Sequence, residues 1–251
     1  MNICVKNVSF SYANDSTGKK KLFGNLSVDF YGGELPVVIL GPSGSGKTTL
    51  LKLMGGLLTP NAGEIIFSGD GALSEKCKTS FMFQESRLLP WLTVLENVSL
   101  PLGKIFGVDE GRLRAKHFLS LVSLTEKENS YPNELSGGQA QRVSMARAFA
   151  WPAPALFMDE PFQSLDIPLR INLMDNCLAL LKSEKFSKEH GRLLVAVTHD
   201  PREAVYMGGR IIVLGQPGEG IVFDRKINGE TEGSAGMELE REIIKHLGSR
   251  C

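Results

Sequence analysis

The tightest constraint on this chain is the run Gly41-Pro42-Ser43-Gly44-Ser45-Gly46-Lys47-Thr48, which matches G-x-x-x-x-G-K-[ST] in full. An apolar run at 37–40 precedes it. Helical apolar spacing over 49–58 follows it, carried by Leu50, Leu51, Leu53, Met54 and Leu57. A strand, a glycine-rich turn and a helix in that order form a cradle for phosphate. Gly44 and Gly46 let the backbone turn its N–H groups inward. The helix starting near Lys47 adds the positive end of its dipole. Lys47 brings a full charge, and the Thr48 hydroxyl is a Mg²⁺ ligand by type. The motif alone says nucleotide phosphate, and kinases, GTPases and ATPases all carry it.

The rest of the chain reads as alternating strands and helices. Strands are predicted at 3–10 and 26–30, with the polar segment 13–21 as a hairpin loop. A further strand at 64–67 is broken by Gly69 and Gly71. Residues 94–150 show no strand-like run, and Ala115, Phe118, Leu119 and Val122 share one helical face, so a helical insertion is expected there. Apolar runs at 155–158, 193–198 and 211–214 alternate with helical stretches, which argues a parallel core sheet with helices on both faces. The tail 216–251 reads as glycine-rich, then charged and helical over 237–247. A chain of 251 residues suits one sizeable α/β domain with a subdomain.

Charge and cysteine usage exclude some classes. Lys+Arg and Asp+Glu are both 28, so no bulk charge attracts nucleic acid or an acidic membrane surface. Cys4, Cys77, Cys177 and Cys251 have no metal-ligand spacing and read as free thiols of a reducing compartment. Lys6, Asn7 and Asn14 interrupt any signal core, and no apolar run approaches the ~20 residues of a membrane helix. A cytoplasmic location is expected, with any membrane part supplied by a partner.

Two later segments place polar groups at strand ends, where open α/β sheets bind ligands. The apolar run 155–158 ends in Asp159-Glu160. Asp159 suits Mg²⁺, and Glu160, one residue on, suits polarising an attacking water. The apolar run 193–198 leads into His199-Asp200-Pro201. His117, His190 and His246 have no such placement and read as surface or packing residues.

Leu135-Ser136-Gly137-Gly138-Gln139 opens a helix, with Ser136 and Gln139 at capping-box spacing and two glycines exposing N–H groups. This run, followed by Ala140 to Ala150 and then an apolar strand with Asp159-Glu160-Pro161, resembles the signature of ABC ATPases. The likeness extends over about residues 3–225. Tyr12 looks like the aromatic that stacks on adenine. Gln84 looks like the Q-loop glutamine that senses Mg²⁺ and the γ-phosphate. Ser164-Leu165-Asp166 looks like the D-loop, and His199 like the switch histidine. The family plan implies a P-loop NTPase core with a mostly parallel sheet, an antiparallel β subdomain and a helical signature subdomain at about 94–150. Residues 1–225 would form the ATPase domain and 226–251 a short helical tail.

The resemblance implies ATP and Mg²⁺ as cofactors. Nucleotide contacts fall on Tyr12, the loop Gly41 to Thr48, Thr49, Gln84, Ser136, Gly137, Gly138, Gln139 and Asp166. Metal contacts fall on Thr48, Gln84 and Asp159, and catalysis on Lys47, Glu160 and His199. A homodimer is implied, with one copy's signature completing the other's site. The segment 84–97, with Pro90-Trp91, is similar to importers of the nitrate/sulfonate/taurine/bicarbonate group. That likeness implies an integral membrane permease, an extracytoplasmic solute-binding protein and a place at the cytoplasmic face of the plasma membrane. Leu88, Leu89 and Trp91 suit the permease contact. An exporter subunit and a non-transport ABC ATPase are the alternatives. Gln163 departs from the pattern, since the family usually has a small residue there. Pro36 before the cradle strand and the linker Trp151-Pro152-Ala153-Pro154 are also unusual.

Overall fold

The alternation in the first strand slips from odd to even positions, and the backbone follows it. In β1 (Asn2–Phe10), Ile3 and Val5 are buried, then Val8 and Phe10. A register shift lies between Val5 and Val8, with Asn7 at φ 51. Asparagine tolerates that left-handed conformation better than most residues. β1 pairs antiparallel with β2 (Phe23–Tyr31) and β4 (Ala62–Ser68), giving a three-stranded sheet in the order β2-β1-β4.

The computed structural model describes residues 1–12, 21–33, 36–68, 79–163, 165–182, 192–227 and 233–248. Most of the expected hairpin loop at 13–21 lies outside them, as do Gly69, Gly71, Cys77, Ser164, His190 and Cys251. The chain divides into two compact units, Met1–Ala72 with Leu181–Cys251, and Leu73–Leu180.

The first unit carries the antiparallel sheet and a parallel one. β3 (Val37–Leu40) is buried at every position and pairs in parallel with β7 (Leu193–Val197) and β8 (Arg210–Leu214). Full burial on both faces is what a continuous apolar run records. Pro36 stands just before β3, a position sheets tolerate, and its carbonyl accepts from Arg210 N at 3.1 Å. Helix α1 (Lys47–Met54) is shorter than the spacing over 49–58 predicts. Gly56 at φ 70 ends it, with Gly56 N donating to Leu53 O and Leu57 N to Lys52 O. That pair of bonds is a Schellman stop, and it leaves Leu57 exposed outside the helix.

A strand within the tail is a second correction. β9 (Ile221–Lys226) pairs antiparallel with β8, where the sequence reads only a glycine-rich stretch. Its mostly exposed face gives little apolar signal. Arg210 fastens it by a bidentate pair to Asp224 at 2.7 and 2.6 Å. Arg225 of β9 then pairs with Glu242 of a helix at 233–248.

The second unit begins with the parallel pair β5 (Thr79–Met82) and β6 (Ala155–Asp159). Between them come α2 (Val94–Phe106), α3 (Val108–Leu121), two single 3-10 turns and α4 (Gly137–Ala150). No strand interrupts the described residues of 94–150, as the pattern predicts. Ala115, Phe118, Leu119 and Val122 are all buried. α5 (Ile167–Lys182) closes the unit. Two further helices among the described residues, α6 (Pro201–Met207) and α7 (Gly233–Gly248), belong to the first unit. Cys4 and Cys177 are free thiols, and burial pushes the Cys177 thiol up to about 12. No helix among the described residues is long and apolar enough to cross a membrane.

Candidate functional site: a nucleotide cradle and a signature helix

In the first unit, the turn from β3 into α1 is shaped by glycine. Gly44 lies at φ 79 and Gly46 at φ 99, both left-handed. A Cβ on Gly46 would come within 2.6 Å of Phe23 Cζ, so this position admits only glycine. Gly46 is also the N-cap of α1, and it provides no side-chain cap. The first turn of α1 holds no acidic residue either. No side chain therefore caps this helix start, which is the arrangement an entering anion requires. Lys47 folds back across the turn, with Nζ donating to Gly41 O at 2.8 Å and Pro42 O at 3.1 Å. The Ser45 hydroxyl is buried with no partner among the described residues. A buried hydroxyl without a bond costs about 1–3 kcal/mol. All three features fit a phosphate chain.

Tyr12 stands half-exposed beside this turn. Its ring meets Phe10 edge-on at 5.0 Å, and its hydroxyl bonds Thr49 Oγ1 at 2.9 Å. The Thr49 hydroxyl is thus engaged within the protein, while the Tyr12 ring keeps a face for stacking. His199 follows β7, the parallel neighbour of β3, and Thr198 N donates to Ile39 O at 3.2 Å. His199 and the cradle therefore lie at the C-terminal ends of adjacent strands. The exposed imidazole is flanked by a small polar lock. Buried Thr198 donates its hydroxyl to Glu203 at 2.5 Å and accepts from Asp200 N at 3.1 Å.

In the second unit, Asp159 ends β6 with its side chain buried, and Gln84 follows the neighbouring β5. The Gln84 carboxamide donates to Gln163 Oε1 at 3.1 Å. Gln163, the residue that departs from the family pattern, is therefore a hydrogen-bond partner of Gln84. Glu160 sits at φ 51, a conformation rare for glutamate. Its carbonyl accepts from Gln141 Nε2 at 2.9 Å. Asp166 Oδ1 accepts from Leu169 N at 2.9 Å and so caps α5.

α4 begins with the capping box the sequence predicts. Ser136 Oγ accepts from Gln139 N at 3.2 Å, and Gln139 Oε1 accepts from Ser136 N at 2.9 Å. Gly137 is exposed, and a Cβ there would meet nothing within 4 Å. Among the described residues, nothing requires a glycine at 137.

The loop after Gln84 is held by two polar side chains that motif reading missed. Arg147 of α4 donates to Ser86 O at 2.8 Å and Arg87 O at 3.0 Å, and burial pulls its guanidinium below the ordinary arginine range. Buried Asn97 accepts from Leu89 N and donates to the carbonyls of Leu89, Leu92 and Thr93. Held this way, the loop presents Trp91 with 70% of its surface exposed, while Leu88 and Leu89 are half-buried. The signal for both was a polar residue on an otherwise apolar helix face. Of the other histidines, His246 packs 5.1 Å from the Phe223 ring and His117 lies 5.4 Å from Phe118.

Residues 23–163 match the ABC transporter family. The chain is 38% identical over 221 residues to the aliphatic sulfonates import ATP-binding protein SsuB of Bacillus thuringiensis subsp. konkukian, covering 87% of this chain and 84% of that one. A protein of the same name from Burkholderia ambifaria is 40% identical over 209 residues, which are 83% of this chain and 61% of the relative. Among solved structures, a dimeric ATP-binding cassette in a post-hydrolysis state, bound to ADP and Pi, superposes with a TM-score of 0.75. It is 35% identical, with 90% of this chain and 99% of that chain covered. The likeness of 84–97 to the sulfonate-type importers agrees with the names of these relatives. The glycine-bounded cradle, the capped signature helix and these matches together place the chain in the ABC transporter family of ATP-binding, ATP-hydrolysing subunits.

Proposed function

We propose that this chain energises uptake of a small organic anion of the sulfonate type through a separate permease. The observation that carries the ATPase part is the uncapped, glycine-bounded start of α1 with Lys47 folded over it. The solute class rests on the names of the relatives, which say import and aliphatic sulfonates. Those names do not favour the exporter or non-transport alternatives.

In this reading the amides of the loop Gly41 to Thr48 grip the phosphates, and Lys47 neutralises the β- and γ-oxygens. Thr48, Asp159 and Gln84 offer hard oxygen ligands of the kind Mg²⁺ takes. Held by these residues, Mg²⁺ would supply positive charge against the charge that develops on the phosphate in the transition state. Glu160 takes a proton from the attacking water, and His199 holds the γ-phosphate. Tyr12 stacks on the base. Two copies pair head to tail, so that Ser136, Gly137 and Gly138 of one copy meet the γ-phosphate held by the other. The exposure of Gly137, and the open space a Cβ there would meet among the described residues, support that role. ATP then favours the closed pair because it binds that state better. The loop carrying Trp91 docks the permease at the cytoplasmic face of the membrane, and an extracytoplasmic solute-binding protein delivers the cargo.

The test is Glu160→Gln. ATP affinity should persist, turnover should fall by about 10²–10⁴, and Mg-ATP should trap a dimer on size exclusion. Normal turnover would remove Glu160 from its role. In the complex reconstituted with its permease and binding protein, an alkanesulfonate should stimulate ATP hydrolysis. Stimulation by nitrate alone would move the cargo elsewhere.

A further inference from the structure

Five non-glycine residues among those described have positive φ: Asn7, Asn25, Arg87, Ser123 and Glu160. The two asparagines suit that region, but the other three carry a cost of about 1–3 kcal/mol each. All three have the carbonyl bonded by a side chain of α4. Arg147 holds Arg87 O at 3.0 Å, Arg142 holds Ser123 O at 3.2 Å, and Gln141 holds Glu160 O at 2.9 Å. Gln141 is only 7% exposed. A carboxamide so buried is destabilising unless its hydrogen bonds are made.

We propose that Gln141 is a positioning residue for Glu160: its bond to the Glu160 carbonyl holds the left-handed backbone that aims the carboxylate. The inference rests on the reading of Glu160 as the general base. Gln163 N also donates to the same carbonyl at 3.3 Å, a longer and weaker bond. Without Gln141, the peptide after Glu160 loses its stronger donor, and the residue can relax toward the right-handed region. A shift of about 1 Å in a reacting group costs up to about 10² in rate. α4 starts at Ser136 and bears Gln141 in its second turn. A displacement of the signature end of this helix is therefore transmitted to the hydrolytic residue of the same chain by one hydrogen bond.

Gln141→Met keeps the volume and removes the donor. Gln141→Leu also removes the donor and, like the methionine, brings no charge into the buried position. In both, kcat should fall about tenfold, while KM and the Kd for ATP stay within twofold and the melting temperature within a few degrees. That split marks loss of a transition-state interaction rather than of binding. Unchanged kcat in both variants overturns the proposal. A parallel fall of ATP affinity and melting temperature also overturns it, because Gln141 would then be structural only. Glu160→Gln and the double variant with Gln141→Met are measured alongside. The double variant should turn over no more slowly than Glu160→Gln alone, and an additive loss contradicts positioning through Glu160. If Glu160→Gln itself turns over normally, the reading of Glu160 fails first. If it is inactive while both Gln141 variants are fully active, only the role of Gln141 fails.

Discussion

Two helix starts in this molecule carry the same kind of orphan N–H groups and treat them in opposite ways. α1 begins at Gly46, with no side-chain cap and no acidic residue in its first turn. α4 begins at Ser136 with a complete capping box. The glycines differ as well. Gly46 is required by its own chain, through φ 99 and the Phe23 ring. Gly137 meets nothing and lies in an ordinary helical turn. The first terminus is built to receive an anion unaided. The second is stable by itself and keeps only a smooth, side-chain-free surface at its tip. The proposed dimeric site uses both kinds, the first to bind nucleotide before pairing and the second to stay folded meanwhile.

The largest expected break of this contrast is Lys47→Ala. Nζ brings a full positive charge to the turn, bonded to the carbonyls of Gly41 and Pro42. Hydrogen bonds to charged groups contribute about 1.5–3 kcal/mol each, so ATP affinity should weaken about 10–10²-fold. Titration calorimetry with ATP checks it. Equal affinity in the variant would show that the open helix end suffices alone. The capped start of α4 should be untouched, and the second unit should keep its stability.

Motif-bearing strands and turns were legible because short-range chemistry fixes them. A run with no polar residue, as at 37–40, can only be a strand buried on both faces, and the glycines after it dictate the turn. The capping box at Ser136 and Gln139 was legible for the same reason. The end of α1 was misplaced because Leu57 keeps the apolar spacing, while the stop comes from the left-handed Gly56. β9 was missed because its pairing depends on Arg210, Asp224, Arg225 and Glu242, which meet only in the folded chain. Gln141, Arg147 and Asn97 were missed as site residues for a related reason. Their partners are backbone carbonyls, distant in sequence for Gln141 and Arg147 and in the adjoining loop for Asn97, and no motif records a carbonyl.

Gly137→Ala sharpens the contrast with a smaller effect. The added methyl meets nothing within the chain, and alanine is the better helix former by up to about 1 kcal/mol. The melting temperature of the isolated subunit should hold or rise. In the Glu160→Gln background, the same substitution should weaken the ATP-trapped dimer about tenfold, read by sedimentation. An unaffected dimer would mean that no partner approaches this tip.

The smallest effect separates capping from binding. Thr93 caps α2 with the same box chemistry, Thr93 Oγ1 accepting from Glu96 N at 3.2 Å. Removing either cap hydroxyl costs about 1 kcal/mol. Thr93→Ala and Ser136→Ala should therefore lower stability to urea by similar amounts. If the Ser136 hydroxyl serves only its own helix, the two variants should also hydrolyse ATP alike. If it also reaches the partner's nucleotide, Ser136→Ala alone should lose turnover, by several-fold beyond Thr93→Ala. A hydroxyl in a capping box accepts from one backbone N–H and still has its own proton to give. One side chain can thus hold the helix and donate outward, which is why equal stability losses with unequal turnover is the expected result.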